Sequence, residues 1–169
     1  DDNSWSSAGG GFGYGDGDDS TIIEPVNSVY LRRTFTISTI SQIGQTVLDV
    51  DYDDGFVAYL NGIEIARSGN LNANPVLFNS ELTTDHEAQL YQNGKPERHL
   101  FDSSLLIEGE NILAVQIINS GFESTDLSGL VFLSAFLISD TMVYQSTPDR
   151  FSPPVTFSGE SNLPILIIN

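Results

Sequence analysis

Helical periodicity is missing from this sequence: no window of about 11 residues sets apolar side chains at i, i+3, i+4 and i+7 over good helix formers. Short β-branched and aromatic runs alternate instead with clusters of Gly, Asn, Asp and Pro, the punctuation of strands and turns. The runs fall at 29–37 (VYLRRTFTI), 46–52 (TVLDVDY), 56–60 (FVAYL), 63–67 (IEIAR), 112–118 (ILAVQII), 130–138 (LVFLSAFLI) and 163–168 (LPILII). Short strands spaced in this way predict an all-β fold, an antiparallel sandwich or barrel. A chain of 169 residues is expected to form one domain that hides roughly 70% of its unfolded surface. Leu31, Phe35, Leu48, Val50, Phe56, Leu60, Leu113, Val115 and Ile117 are the expected inner faces.

Asn61-Gly62 is the strongest local signal. Both central residues of a type I′ turn need positive φ, which Asn and Gly tolerate, so the pair predicts a two-residue hairpin. An unbroken register then sets Leu60 against Ile63 and Ala58 against Ile65. In the preceding strand Leu48, Val50 and Tyr52 share one face, which puts Asp49, Asp51 and Asp53 together on the other. Three carboxylates about 6.8 Å apart along one face repel each other. They require water or a cation.

Charge and cysteine content exclude several functions. Six Lys and Arg against 23 Asp and Glu give a formal net charge of −17. Phosphate recognition needs clusters of Lys and Arg, so nucleic acid and anionic membranes are not expected partners. No apolar run approaches the ~20 residues of a membrane-spanning helix, so membrane insertion is not expected either. Without Cys there is no disulfide, thiolate metal site or thiol nucleophile. A cysteine-free, acidic chain rich in Gly, Asn and Ser fits a secreted or cell-surface bacterial protein.

Two zones stand apart. Six Gly within residues 9–17 disfavour a rigid strand or helix, and the interleaved Phe12 and Tyr14 suggest an ordered loop laid over a sheet. Residues 68–104 carry few strand signals, and an irregular stretch of that length is often functional.

Six strings follow one another in order: GGGFGYGDGDD (9–19), VYLRRTF (29–35), DYDDGFVAYLNGIEIARS (51–68), DHEAQLYQNGKPE (85–97), GENILAVQIIN (109–119) and STDLS (124–128). Together they resemble the galactose-binding-domain-like (jelly-roll) β-sandwich modules of large secreted bacterial proteins. Such modules sit beside spore-coat-H-like kinase, lamin-tail, metallophosphoesterase or glycoside hydrolase domains. The resemblance covers about residues 1–138. It implies a jelly-roll sandwich over 1–140, a linker over 141–160, and in 161–169 (SNLPILIIN) a strand belonging to a following domain or an interface. Modules of this kind begin with a strand ahead of the segment Asp1-Asp2-Asn3-Ser4-Trp5, so the first strand is expected to be missing.

Candidate sites follow from residue chemistry. Asp16-Gly17-Asp18-Asp19-Ser20 offers carboxylates and carbonyls in a flexible frame, as calcium requires. It is no EF-hand, because Thr21 and Asn27 stand where that loop needs Gly and Glu. The resemblance implies a structural calcium near such loops; a solvated acidic turn is the alternative. Asp49, Asp51 and Asp53 are candidate ligands of a second ion, while turn hydrogen bonding is the other reading of Asp53 and Asp54. His86, Glu87 and Glu97 contain the groups of a glycosidase site, but sequence gives them no common cleft, and no catalytic residue is assigned; the other reading is that His86 and Glu87 hold the loop by hydrogen bonds. Sugar rings stack on aromatic faces and bond polar side chains through their hydroxyls. Tyr14, Tyr52 and Tyr91 are therefore candidate platforms, with Arg67, Asn93 and Arg98 as polar partners, and packing in the core or loops is the other reading of each; Trp5 and Tyr144 are further aromatics, Trp5 being expected to anchor the N-terminal segment.

The expected function is that of a non-catalytic accessory module of an exported multidomain protein, binding glycan and a structural calcium. The alternative is a structural module that docks neighbouring domains or chains without binding glycan.

Overall fold

The computed structural model describes residues 4–15, 17, 19–121 and 123–138. Asp16, Asp18, Tyr144, the expected linker 141–160 and the expected strand 161–169 lie outside the described residues. Within them the chain forms β1 (Phe12–Tyr14), β2 (Thr21–Ile22), β3 (Ser28–Ile37), β4 (Ile43–Asp53), β5 (Gly55–Leu60), β6 (Ile63–Arg67), β7 (Glu97–Phe101), β8 (Gly109–Ile118) and β9 (Leu127–Leu137). One sheet has the order β2-β1-β9-β4-β7 and the other β3-β8-β5-β6. Among the described residues, only β1 and β2 pair in parallel. The fold is an all-β sandwich.

Alternation in the strands makes the core. Leu48, Val50 and Tyr52 of β4 meet Phe56 and Ala58 of β5, Leu113, Val115 and Ile117 of β8, and Leu127 of β9. Leu48, Val50, Phe56 and Ile117 are fully shielded, and side chains of this size each stabilise the fold by about 1.5–3 kcal/mol when buried. Leu60 is buried as expected, while Leu31 and Phe35 are half-buried against the cluster. Gly129 marks the close approach of the sheets, since a Cβ there would stand 2.8 Å from Ile117 Cγ1.

The hairpin forms at Asn61 (φ 52°) and Gly62 (φ 83°), and Leu60 pairs with Ile63. Further along, the expected register fails: Ala58 pairs with Ala66, not Ile65. One extra residue bulges β6 between the Tyr59–Glu64 and Ala58–Ala66 pairs, so Ala66 is buried and Ile65 also packs on the core. The glycine-rich zone also departs from the expected loop, because Phe12-Gly13-Tyr14 enters the sheet between β2 and β9. Glycine is needed at position 13, where a Cβ would lie 2.0 Å from the Leu127 carbonyl oxygen. The irregular zone 68–104 contains β7, and its Leu71, Val76 and Leu82 cover Val57 and Ile118 on the outer face of the second sheet.

Candidate metal centre and adjoining cleft

The three carboxylates of β4 share the outer face, and each is met differently. Asp49 is opposite Arg98 of β7 and holds its guanidinium by a two-pronged ion pair, Nε–Oδ1 2.8 Å and Nη2–Oδ2 3.0 Å. Asp51 accepts the backbone N–H groups of Gln89 (2.8 Å) and Leu90 (3.0 Å). Asp54, just past the strand, accepts from His86 N (3.0 Å) and Ser120 N (2.7 Å). These bonds lash the segment 86–92 to the end of β4. The Asp54 side chain thus bonds two distant loops.

Asp53 meets other acids. It pairs with Ser128 in the β4–β9 ladder, which brings Asp126, two residues earlier, alongside. One oxygen each from Asp53, Glu87 and Asp126 lies within 4.8 Å of the others. Asp53 is buried, Asp126 half-buried and Glu87 exposed. Burial above all, then the charges of Asp54 and Asp126, a hydrogen bond with Asp54 and the charge of Glu87, push the Asp53 carboxyl up to about 8. Its ionised form is thus disfavoured unless positive charge arrives.

The donor set fits a hard cation. Calcium–oxygen bonds of 2.3–2.6 Å place ligands on opposite sides of one ion about 4.6–5.2 Å apart, so three oxygens within 4.8 Å of one another can share it. All three donors are carboxylates, the ligand chemistry of calcium and not of softer metals. The triad could hold a metal, and among the described residues it is the cluster of His, Asp and Glu side chains that meets this geometry.

The same segment that supplies Glu87 forms a 3-10 turn at Leu90–Gln92. Tyr91 on that turn is 46% exposed, and its hydroxyl bonds the Gln92 amide. Together with Asp19, Asp51, Ser128 and Leu130 it lines a cleft of about 220 Å³. Asn93 closes the turn at φ 62°, the left-handed conformation that Asn tolerates among non-glycine residues.

The other expected site residues are dispersed. Tyr14 and Tyr52 are core residues with 8% and 2% exposure, so neither offers a ring face to a ligand. The Tyr14 hydroxyl accepts from Asn119 Nδ2, and burial raises its pKa. Tyr52 donates to Glu97 at 2.5 Å; burial first, then that carboxylate, raises its pKa further. Arg67 forks onto Glu64 at 2.6 and 2.7 Å and donates to the carbonyls of Leu71 and Ala73, which ties down the covering loop. Arg98 is occupied by Asp49. Asp19 accepts from Ser128 Oγ at 3.3 Å. Glu97 is engaged by Tyr52 and by His99 at 3.2 Å, whereas Glu87 faces Asp53 and Asp126. Trp5 is half-exposed.

Of the described Asp residues expected to ligate cations, Asp19, Asp49, Asp51 and Asp53, the structure brings Asp53 into an acidic cluster. Its partners were not read as ligands in the sequence. Glu87 carried a catalytic and a loop-holding reading, and Asp126 figured only within the string STDLS.

No protein-family model matches the chain, and no curated protein matches its sequence. Solved structures with a similar fold include three glycoside hydrolases. The α-L-rhamnosidase of Streptomyces avermitilis, complexed with L-rhamnose, aligns at 19% identity and TM-score 0.45 over 69% of this chain and 9% of its own. The α-L-rhamnosidase of Aspergillus terreus aligns at 14% and 0.43 over 76% of this chain and 15% of its own. The β-D-mannosidase of Dictyoglomus thermophilum aligns at 20% and 0.34 over 55% and 9%. The β-sandwich is thus similar to portions of large glycoside hydrolases at low identity, and it spans a small fraction of each.

Proposed function

We propose that this chain is a non-catalytic accessory module of an exported multidomain protein, which binds carbohydrate in the cleft beside Tyr91 and carries a structural calcium at Asp53, Glu87 and Asp126. The observation that supports this reading is the shared segment 86–92. Its backbone is fixed by Asp51 and Asp54, Glu87 turns to the acidic triad, and Tyr91 borders the cleft.

The ion supplies positive charge among the carboxylates. The three ligands come from the end of β4, the 86–92 segment and the residue before β9, so one ion would tie three chain segments together. The chain's own residues do the recognition. Tyr91 presents an apolar ring to the C–H face of a sugar, while the carboxylates of Asp19 and Asp51 and the Ser128 hydroxyl meet its hydroxyls. A site of this kind binds without bond cleavage, and acidic, cysteine-free composition suits work outside a bacterial cell or on its surface.

A glycan array probed with the chain in calcium and again in chelator tests the reading. Saturable binding that chelator weakens, and that Tyr91→Ala abolishes without changing the fold, is the expected result. An array with no binder in calcium removes the sugar assignment.

A further inference from the structure

The sequence contains two Asn-Gly pairs, at 61–62 and 93–94. In such a pair the glycine nitrogen can attack the amide carbon of the asparagine side chain, because no Cβ on the following residue shields it. Both asparagines have left-handed backbone, with φ 52° at Asn61 and 62° at Asn93. The fold holds the two pairs very differently.

Asn61 is locked. Its Nδ2 donates to the Leu105 carbonyl at 3.0 Å and to Asn111 Oδ1 at 2.9 Å, and its Oδ1 accepts from Ile112 N at 2.9 Å. Its backbone N–H donates to the Ile112 carbonyl at 2.9 Å, and Leu60 before it is fully buried. The amide carbon reaches Gly62 only by breaking its side-chain bonds. Asn93 is exposed, and among the described residues its side chain takes no hydrogen bond. It closes the 3-10 turn Leu90–Gln92, none of whose residues is buried. The Gly94 N–H donates to the Gln89 carbonyl at 2.8 Å. A turn with so little buried surface opens locally at low cost, and opening frees that nitrogen.

The ends of this loop are nevertheless fixed. The N–H groups of Gln89 and Leu90 are held by Asp51 of β4, and Glu97 pairs with Val50 of the same strand. The loop leaves β4 and rejoins it within a few residues, so it has no slack for an added main-chain atom.

We propose that Asn93-Gly94 is a site of spontaneous modification, at which the chain converts its own asparagine to aspartate and isoaspartate. The Gly94 nitrogen loses its proton to solvent base and bonds to Asn93 Cγ; the Cγ–Nδ2 bond breaks and ammonia leaves, which forms a cyclic imide. Water then adds to one imide carbonyl carbon and breaks that carbon's bond to the Gly94 nitrogen. Cleavage at Cγ gives aspartate. Cleavage at the backbone carbonyl carbon gives isoaspartate, whose main chain runs through Cβ and Cγ. Overall one water is consumed, one ammonia is released and one carboxylate is gained, with no change of oxidation state. The aspartate form keeps the main chain and the turn. The isoaspartate form puts one more atom between clamped ends, and the bond from Gly94 to Gln89 is lost. The turn that ages in this way carries Tyr91. Neither the modification nor its effect on the turn rests on the sugar or calcium readings.

The test incubates the full chain in mildly alkaline buffer and, in parallel, in urea, and places the mass gain and the isoaspartate by peptide mass spectrometry. In buffer Asn93 should convert at least about tenfold faster than Asn61, while in urea the two pairs should convert at comparable rates, because the fold alone separates them. In the isoaspartate fraction, isolated by ion exchange, the Gly94 amide should exchange its hydrogen faster than in the fresh chain. Asn93→Asp, which adds the charge without the extra atom, should leave that amide protected. Three results overturn the proposal: no conversion of Asn93 in buffer over the time in which the urea sample converts, conversion of Asn61 as fast as Asn93 in buffer, or an isoaspartate fraction whose Gly94 amide is as protected as before.

Discussion

The imidazole of His86 lies nearly parallel to the ring of Tyr52, with centroids 4.1 Å apart and planes 13° from parallel. Its Nδ1 also contacts the Tyr52 carbonyl oxygen at 3.0 Å. One core residue of β4 thus fixes both the plane and the edge of the ring that precedes Glu87. His86→Ala removes the stack and the side-chain hydrogen bond while keeping the backbone bond to Asp54. A loss of about 1–2 kcal/mol in urea unfolding is expected, with calcium affinity reduced several-fold because Glu87 is no longer held. An unchanged calcium affinity would show that the triad does not depend on this anchor.

The pH dependence of the metal-free protein follows from Asp53. Its carboxyl is raised to about 8 in the folded chain by burial and by neighbouring acids, against about 3.9 when unfolded. Between those values the folded state binds the extra proton, so stability falls as pH rises through the window. In chelator, the melting temperature should be higher at pH 5 than at pH 8. Saturating calcium should raise it most at pH 8, by mass action on the folded state. Asp53→Asn should flatten the slope in chelator, which thermal scans at both pH values will show.

Alternation along β4 was legible in the sequence because a strand has one period, which put Leu48, Val50 and Tyr52 on one face. The partners of the opposite row were not. Asp49 finds Arg98, Asp51 finds the amides of Gln89 and Leu90, and Asp53 finds Asp126, all delivered by chain closure and not by local pattern. β7 escaped notice because Glu97-Arg98-His99 lacks β-branched residues; pairing with β4 makes it a strand. β1 was hidden by its glycine, which tight packing against Leu127 demands and propensity penalises. Tyr14 and Tyr52 were read as platforms because sequence cannot separate a buried ring with a satisfied hydroxyl from an exposed one.

Asn111 is fully buried, and its amide ties four backbone and side-chain groups together. Nδ2 donates to the carbonyls of Ile107 and Gly109, and Oδ1 accepts from Ile107 N and from Asn61 Nδ2. Asn61 in turn accepts from Ile112 N, which joins the hairpin turn to β8. Asn111→Leu strands these partners and should cost about 2–4 kcal/mol. Asn61→Asp keeps the acceptor for Ile112 N and should cost less. Paired denaturant curves give the order.

Gly129 faces Ile117 across the sandwich, with no room for a Cβ between them. Gly129→Val forces side chain into filled space and should cost about 1–3 kcal/mol. Ile117→Ala in the same chain should recover part of that loss, a non-additivity measurable in a double-mutant cycle.

Isothermal titration with calcium at pH 7.5 compares the intact chain, Asp126→Asn and Asp49→Asn. The ion clamp predicts one binding site in the intact chain, at least tenfold weaker binding in Asp126→Asn, and no change in Asp49→Asn, whose carboxylate already belongs to Arg98. Absence of binding heat in the intact chain, or equal affinity with and without the Asp126 carboxylate, would contradict the clamp.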